Sequence, residues 1–279
     1  MKFIESFDGA DLNPRKLNNF AYGSKRKTNH DNLTKIENSI LKVAIDENDI
    51  AGPSHGRNYN VRQLSHFGVY SARIKIPSAE KQPNVGGVVG FFTYCNDKTD
   101  ISKNGIYDNS EIDFEWLIAE PRIIYLTAWT DYQEFPDGTI KFGKVTRIIN
   151  LATGEIISTK YRKNWKDRST VLTGNFENRP KPIRAVPGYD ASKNFYTYGF
   201  DWRTDSIRWW IINSDNPDEQ ITLWDYRGPA ERITQKPSHL CFNIWHTNNW
   251  SVETNRNSKE KPNGEFWAEL DWIKFEPFQ

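Results

Sequence analysis

Residues 110–117 read Ser-Glu-Ile-Asp-Phe-Glu-Trp-Leu and alternate acidic with apolar side chains. Because successive side chains of a β-strand point to opposite faces, the pattern predicts a strand with three carboxylates on one face. The other face, with Ile112, Phe114 and Trp116, is expected to pack on a second sheet. The acidic face is expected to point to solvent or to a ligand. An ordinary solvated strand is the simpler of these two interpretations.

The three carboxylates, Glu111, Asp113 and Glu115, are close enough along the strand to repel one another. Such crowding raises at least one carboxyl pKa, a cost that is easier to account for if the acids have a function. The outer two Cα atoms lie about 13 Å apart on a flat strand. Glutamates leaning together on a concave sheet come closer, and hydrolysis of a glycosidic bond with retention needs carboxyl groups roughly 5–5.5 Å apart. The spacing is compatible with this chemistry without establishing it.

The composition excludes several classes of function. The chain has 279 residues, a net charge of +1 and well-mixed charges, so no nucleic acid or membrane partner is indicated. It carries 11 Trp, 12 Tyr and 16 Phe, which favour strands, fill cores and offer faces on which sugar rings stack. No run is long enough for a membrane helix, and the first residues lack the apolar core of a signal peptide. Either the protein is cytoplasmic or a leader has been removed from it.

The cysteines and histidines have no metal-ligand spacing. Cys95 and Cys241 lie in separate apolar segments, and two buried free thiols are favoured over a disulfide. The five histidines are expected at the surface or in structural hydrogen bonds.

Strand-like segments recur along the chain, and no long amphipathic helix is predicted. At least ten strands at short spacing predict an all-β sandwich or barrel, most simply as a single domain of residues 1–279. Residues 46–60 are expected to form a loop. The predicted strands are residues 2–7, 40–45, 67–76, 86–94, 110–117, 122–130, 144–151, 155–159, 195–202, 207–212, 240–245 and 266–275.

Several of these segments resemble glycoside hydrolase family 16. Glu-Ile-Asp-Phe-Glu at 111–115 fits that family's Glu-x-Asp-x-Glu signature, and five segments follow the family order over most of residues 60–275. The resemblance implies a β-jelly-roll sandwich of two antiparallel sheets with a concave substrate cleft. The segments are Phe67–Tyr70 with Ala72–Lys75, Phe91–Tyr94, Gly188–Ser192 with Phe195–Trp202, Asn243–Trp245 and Ala268–Trp272.

The resemblance also implies catalytic roles for the three acids. Glu111 would be the nucleophile, Glu115 the general acid/base, and Asp113 would tune the pair. The residues themselves agree with these roles, because one carboxylate must stay ionised while another holds a proton. The three are expected to titrate as a coupled set.

Further residues match cleft positions of the family. The implied substrate-binding residues are Arg62, Trp129, Asn243, Trp245, Asn60 and Trp116. Core packing is as good an interpretation of each aromatic taken alone, and Asn60 replaces a sugar-binding Glu of the lichenases. Asp271 matches a residue that helps to hold a structural calcium in many members, although one carboxylate is not a calcium site.

The expected function is that of an endo-acting retaining β-glycosidase, with a β-1,3-1,4-glucan as the leading substrate. The alternatives are another β-glucan or a β-galactan as substrate, a transglycosylase, and a carbohydrate-binding, lectin-like protein. No cofactor is required for this chemistry. We expect a polysaccharide or oligosaccharide as the partner, a monomer, and a secreted or periplasmic location if a leader was removed.

Residues 131–187 are longer than the corresponding stretch in the lichenases. The expectation is that this insertion folds over one end of the cleft, with a decorative surface hairpin as the alternative. Its basic residues are candidates for contact with a substituted or acidic glycan: Arg147, Lys160, Arg162 and Lys163.

Overall fold

The computed structural model describes residues 2–8, 20–22, 31–96, 109–134, 140–164, 182–227, 233–250 and 255–279. Within these ranges the chain is built from strands and two short 3-10 turns, Asp31–Leu33 and Pro53–His55. The strands are β1 Phe3–Glu5, β2 Phe20–Tyr22, β3 Thr34–Glu37, β4 Ile40–Ile45, β5 Arg57–Ser65, β6 Gly68–Lys75, β7 Gly87–Asn96, β8 Asn109–Leu117, β9 Ile123–Glu134, β10 Ile140–Asn150, β11 Glu155–Asn164, β12 Tyr196–Trp202, β13 Ile207–Asn213, β14 Asn216–Tyr226, β15 Ser238–His246 and β16 Phe266–Pro277.

These strands form two antiparallel sheets of eight strands each. One sheet has the order β14-β13-β12-β6-β16-β4-β3, with β1 also paired to β16. The other has the order β11-β10-β9-β8-β7-β15-β5-β2 and is called the cleft sheet here. The predicted all-β sandwich of two antiparallel sheets is confirmed. None of the described residues forms a helix long and apolar enough to cross a membrane.

Strand β8 lies inside the cleft sheet, paired with β7 on one side and β9 on the other. Its apolar face, Ile112, Phe114 and Trp116, is fully buried against the second sheet, as the alternation predicts. The indole N–H of Trp209, from the second sheet, donates to the backbone carbonyl of Asp113 at 3.1 Å. The acidic strand is therefore fixed from behind by apolar packing and by one buried hydrogen bond.

The insertion contributes two strands to the cleft sheet. β10 pairs with β9, and β11 forms the outer edge of the sheet. Their tight connection contains Gly154 at φ +76°, where a Cβ would approach the carbonyl oxygen of Ile183 to 2.2 Å. The return segment is tied to the hairpin, since the N–H of Ile183 donates to Gly154 and that of Val186 to Leu151, both at 2.9 Å. Both predicted strands are thus present and longer than predicted, while residues 165–181 lie outside the described part of the chain.

Two further expectations have clear outcomes. Cys95 and Cys241 are free thiols, as favoured, but only Cys241 is buried, whereas Cys95 is half-buried. The loop predicted for residues 46–60 is wrong at its end, because β5 begins at Arg57. Arg57 is buried there, and its guanidinium pairs with Asp49 at 2.8 Å.

Candidate active site

Glu111, Asp113 and Glu115 share the face of β8 that points away from the core. They line a cavity of about 730 Å³ on the cleft sheet. Its wall combines acids with aromatic and amide side chains, the mixture that sugar binding requires. The described lining residues are Pro53, Ser54, Asn58, Phe92, Tyr94, Glu111, Asp113, Glu115, Trp129, Lys144, Asn243, Trp245, Asn249 and Trp250.

Burial dominates the ionisation of the three acids. It raises the pKa of Glu111 to about 8, and the charge of Glu115 adds to the rise, whereas Lys144 and a hydrogen bond with Asp113 lower it. Burial also raises the pKa of Glu115, to about 7, against the lowering effect of Lys144. The pKa of Asp113 is raised well above its ordinary value, first by burial and then by the charges of both glutamates. The groups interact strongly enough to titrate together.

A hydrogen bond joins the side chains of Glu111 and Asp113. It lowers the pKa of Glu111 and raises the pKa of Asp113. A hydrogen bond has this pair of effects when the proton stays on one partner and is donated to the ionised form of the other. The two effects match a proton held on Asp113 and shared with the Glu111 carboxylate.

Glu115 has a different environment. Across the sheet it faces Gly90 of β7, and Gly90 in turn faces Asn243 of β15. A Cβ on residue 90 would lie 2.6 Å from Oδ1 of Asn243, so the glycine leaves the space that this amide occupies. On the other side Glu115 faces Tyr125 of β9.

Aromatic side chains continue the wall on this side of the cavity. Trp250 packs edge-on against Tyr125, with ring centroids 5.2 Å apart, and lies 6.3 Å from Trp245. Among the described residues, none donates a hydrogen bond to Oδ1 of Asn58 or of Asn243, which are register partners on β5 and β15. Both residues line the cavity, but these two oxygens are themselves buried, and a buried acceptor without a donor carries a free-energy cost.

No protein-family model matches the chain. A β-glucanase of Brevibacillus brevis is 30% identical over 92 residues, 33% of this chain and 31% of that protein. A β-glucanase of Acetivibrio thermocellus is 25% identical over 225 residues, 81% of this chain and 47% of that protein. The matched part thus spans less than half the length of these two relatives. A β-glucanase of Bacillus amyloliquefaciens is 25% identical over 251 residues, 88% of this chain and 76% of that protein.

The predicted resemblance to glycoside hydrolase family 16 is confirmed. Solved structures agree on the fold. A β-1,3-1,4-glucanase (lichenase) from a mouse hindgut metagenome has a TM-score of 0.57 at 17% identity, with 99% of each chain covered. The κ-carrageenase of Pseudoalteromonas carrageenovora, complexed with an oligosaccharide of κ-carrageenan, has a TM-score of 0.59 at 15% identity, covering 98% and 92%. A Crh5 transglycosylase has a TM-score of 0.57 at 12% identity, covering 100% and 85%.

The structure brings together some of the residues that the family 16 resemblance implied. Trp129, Asn243 and Trp245 line the same cavity as the three acids. Trp116 does not, and this assignment is wrong. Its side chain is fully buried between the sheets, and its indole N–H donates to the hydroxyl of Tyr189 at 3.2 Å. The strand alternation that points Glu115 outward necessarily points Trp116 inward.

Arg62 and Asn60 are not among the described residues that line this cavity. Arg62 instead borders a second cavity of about 590 Å³, together with Phe3 and Leu64. By strand register Arg62 is level with the stretch between Asp113 and Glu111, but β15 and β7 lie between β5 and β8, about 14 Å across the sheet. Contact between Arg62 and substrate stays a prediction.

The basic residues of the insertion are divided between the two faces of the hairpin. Arg147 points into the core, where its guanidinium lies 4.4 Å from the ring centroid of Trp224 and donates to Thr159. Burial lowers the pKa of Arg147 to about 9. Arg147 is therefore not available to a glycan. Lys160 is exposed, and the side chains of Arg162 and Lys163 lie outside the described part of the structure.

Asp271, the expected calcium ligand, forms an ion pair with Arg73. Among the described residues, no group of three or more His, Cys, Asp or Glu side chains is arranged to hold a metal ion. Arg73 already supplies a positive charge to the Asp271 carboxylate, and the described side chains around it do not fit a cation site. Calcium at this position remains a prediction.

The lining residues that sequence reasoning missed include Tyr94, Lys144, Asn58 and Trp250. Tyr94 lies opposite Glu111 on β7 and is 40% exposed, which suits a stacking surface. The alternation of side chains along β7 places residues 90, 92 and 94 on one face, and this pattern could have identified Tyr94. Asn58 was assigned to a loop, and Trp250 follows β15 without a pattern of its own.

Proposed function

We propose that this protein is an endo-acting, retaining β-glycosidase, with a β-1,3-1,4-glucan as its leading substrate. The observation that carries the proposal is the row of Glu111, Asp113 and Glu115 on the wall of a cavity that also presents tryptophan and asparagine side chains. The β-glucanase names of the relatives support the substrate class. The fold alone would not, because one fold hosts many functions.

In the proposed reaction Glu111 attacks the anomeric carbon and forms a covalent glycosyl intermediate, while Glu115 gives its proton to the leaving oxygen. Glu115 then takes a proton from the water that attacks the same carbon, which restores both groups. Glu111 must ionise first. The repulsion from Glu115 acts on it only after Glu115 is ionised, whereas the hydrogen bond donated by Asp113 favours the Glu111 carboxylate throughout. Asp113 is thus a positioning residue that tunes the nucleophile.

Two alternatives remain within the same chemistry. The substrate could be another β-glucan or a β-galactan, and the fold is shared with a κ-carrageenase. A transglycosylase uses the same intermediate and passes the glycosyl group to a sugar hydroxyl instead of water, and the fold is shared with such an enzyme as well. Product sizing separates these outcomes, because transfer creates chains longer than the substrate.

A lectin-like, carbohydrate-binding protein is the alternative from another class. Binding needs aromatic faces and amides, but it does not need three crowded carboxyl groups whose pKa values are all raised. Groups of this kind cluster at catalytic sites. This observation favours the enzyme.

A polysaccharide does not cross a membrane unaided, so we expect the protein to meet its substrate outside the cytoplasm, in the periplasm or after secretion. The proposed reaction requires neither cofactor nor nucleic acid, and a monomer contains the complete set of acids. Calcium, if bound, would have a structural role only.

The test is release of reducing sugars from a panel of mixed-linkage glucan, laminarin, galactans and carrageenans, with product sizing. Proton NMR of the first product should show the β-anomer before mutarotation. We expect endo-products from mixed-linkage glucan and none from the Glu111→Gln variant. Binding without cleavage across the panel would favour the lectin, and an initial α-anomer would exclude retention.

A further inference from the structure

Lys144 is the one basic side chain among the described residues that line the cavity. It comes from β10, a strand of the insertion. Its ammonium lies 4.1 Å from the centroid of the Trp129 ring. Trp129 faces Glu111 across β8 and β9, and Lys144 faces Trp129 across β9 and β10. Glu111, Trp129 and Lys144 therefore form one row across three strands.

A shift in strand register brings Lys144 to this face. Phe142 pairs with Tyr132, but Lys144 pairs with Trp129, so the β9–β10 ladder shifts by one residue between them. With the earlier register, Val145 would face Trp129, and Lys144 would point to the buried side of the sheet with Thr130. A one-residue shift exchanges the faces of all later side chains, and such bulges often direct side chains next to active sites.

The side chain of Lys144 is long enough to bring its charge near Glu111. Neighbouring strands are about 4.8 Å apart, so β10 lies about 10 Å from β8. A lysine side chain laid over the ring on the middle strand covers most of that distance. Its charge lowers the pKa of Glu111 and of Glu115, and that of Asp113 as well.

We propose that Lys144 is a positioning residue of this active site, whose ammonium, held on the ring of Trp129, stabilises the ionised Glu111 nucleophile. The inference rests on the proposed function. Lys144 is the only Lys or Arg among the described residues that line the cavity, and the other titratable side chains near Glu111 lie on β7, β8 and β15. They are Asp113 and Glu115 on β8, Tyr94 on β7, and Cys241 and His239 on β15, with Nδ1 of His239 engaged by the carbonyl oxygen of Val61 at 2.9 Å.

The test compares Lys144→Met, which keeps the length and removes the charge, with Lys144→Arg, which keeps the charge. Lys193→Met is the matched control, an exposed lysine in the turn before β12 that does not line the cavity. Carboxyl groups are titrated by 13C NMR in the substrate-free protein, and kcat/KM is measured against pH. Since Lys144 is partly exposed, we expect each variant to fold, and Lys144→Gln provides a second neutral variant.

In Lys144→Met and Lys144→Gln, the midpoint assigned to Glu111 should rise by about one pH unit. Both limbs of the kcat/KM profile should move to higher pH, which gives about tenfold lower kcat/KM on the acid side. Lys144→Arg and Lys193→Met should keep the parental midpoints. An unchanged midpoint in the neutral variants, or an equal rise in Lys144→Arg, would overturn the role of Lys144.

The NMR titration needs no substrate, so the two proposals fail separately. If the Glu111 midpoint rises in the neutral variants but the protein cleaves no glycan, the charge coupling is supported and the proposed glycosidase activity is wrong. If the protein cleaves glycan but the Glu111 midpoint does not rise in the neutral variants, the proposed function stands and the role of Lys144 is wrong.

Discussion

Glu111 and Glu115 lie four residues apart on one strand, yet their neighbours differ in kind. Glu111 has a hydrogen bond with Asp113 and, across one strand, the ammonium of Lys144. Glu115 lies beside the space left by Gly90, next to Asn243 and Tyr125. Glu111 receives both a hydrogen bond and the charge of Lys144, which favour its ionised form, whereas Glu115 has the charge of Lys144 alone against the effect of burial. Two carboxyl groups placed in contrasting environments are how one site supplies both a nucleophile and an acid.

The largest expected effect comes from removing each acid in turn. Glu111→Gln should lower turnover by several orders of magnitude on every substrate, since it removes the nucleophile. Glu115→Gln should lower turnover on polysaccharide by roughly 10²–10⁴-fold, but the glycosylation step much less on an aryl glycoside whose leaving group needs no proton. Steady-state and burst kinetics on both substrates measure this difference.

Glu120→Gln, in the turn that follows β8, is the matched control and should keep full activity on both substrates. An equal loss for Glu111→Gln and Glu115→Gln on the aryl glycoside would remove the contrast between the two sites.

The next effect separates two tryptophans on neighbouring strands of the cleft sheet. Trp116→Ala empties a fully buried site and should lower the free energy of unfolding by about 3–5 kcal/mol. Trp129→Ala changes a cavity wall and should leave that free energy within about 1 kcal/mol while raising KM. Urea unfolding and glucan hydrolysis test both. A Trp116→Ala variant with normal stability and a raised KM would reverse the assignment.

A smaller effect concerns stability against pH. The folded pKa of Glu115 is raised from 4.5 to about 7, so the folded state holds this proton more tightly than the unfolded state does. Ionising Glu115 therefore lowers the free energy of unfolding. This loss of stability is absent below about pH 4.5 and complete above about pH 7. Glu115→Gln should therefore gain stability relative to the parent between pH 4.5 and pH 8, by about 1 kcal/mol or more. Unfolding curves across this range measure it, and a constant difference would show that the group is not perturbed.

The strand that carries the acids could be predicted from the sequence because its alternation is strict and its apolar side chains are large. The same rule placed Trp116 in the core, so its assignment to the substrate contradicted a pattern already visible in the sequence. β5 is absent from the predicted strands, since its first residues, Arg57 and Asn58, resemble loop residues. Arg57 is buried only because Asp49, eight residues away, pairs with it.

Lys144 could not have been found from the sequence. Strand alternation assigns a side chain to a face only while the register is constant, and the ladder shifts just before this residue. The insertion was recognised as unusual, and its strands were predicted, but which of its cations faces the acids depends on that shift. Arg147, on the other face, packs against Trp224 instead.

The central claim is that Glu111 is the nucleophile of a double displacement. An activated 2-deoxy-2-fluoro glycoside of the preferred substrate slows the second step and should accumulate the glycosyl intermediate. Mass spectrometry of the intact protein should then show one added glycosyl unit, and peptide mapping should place it on Glu111. A label on Glu115 or elsewhere, or turnover to an α-product without any adduct, would contradict the account.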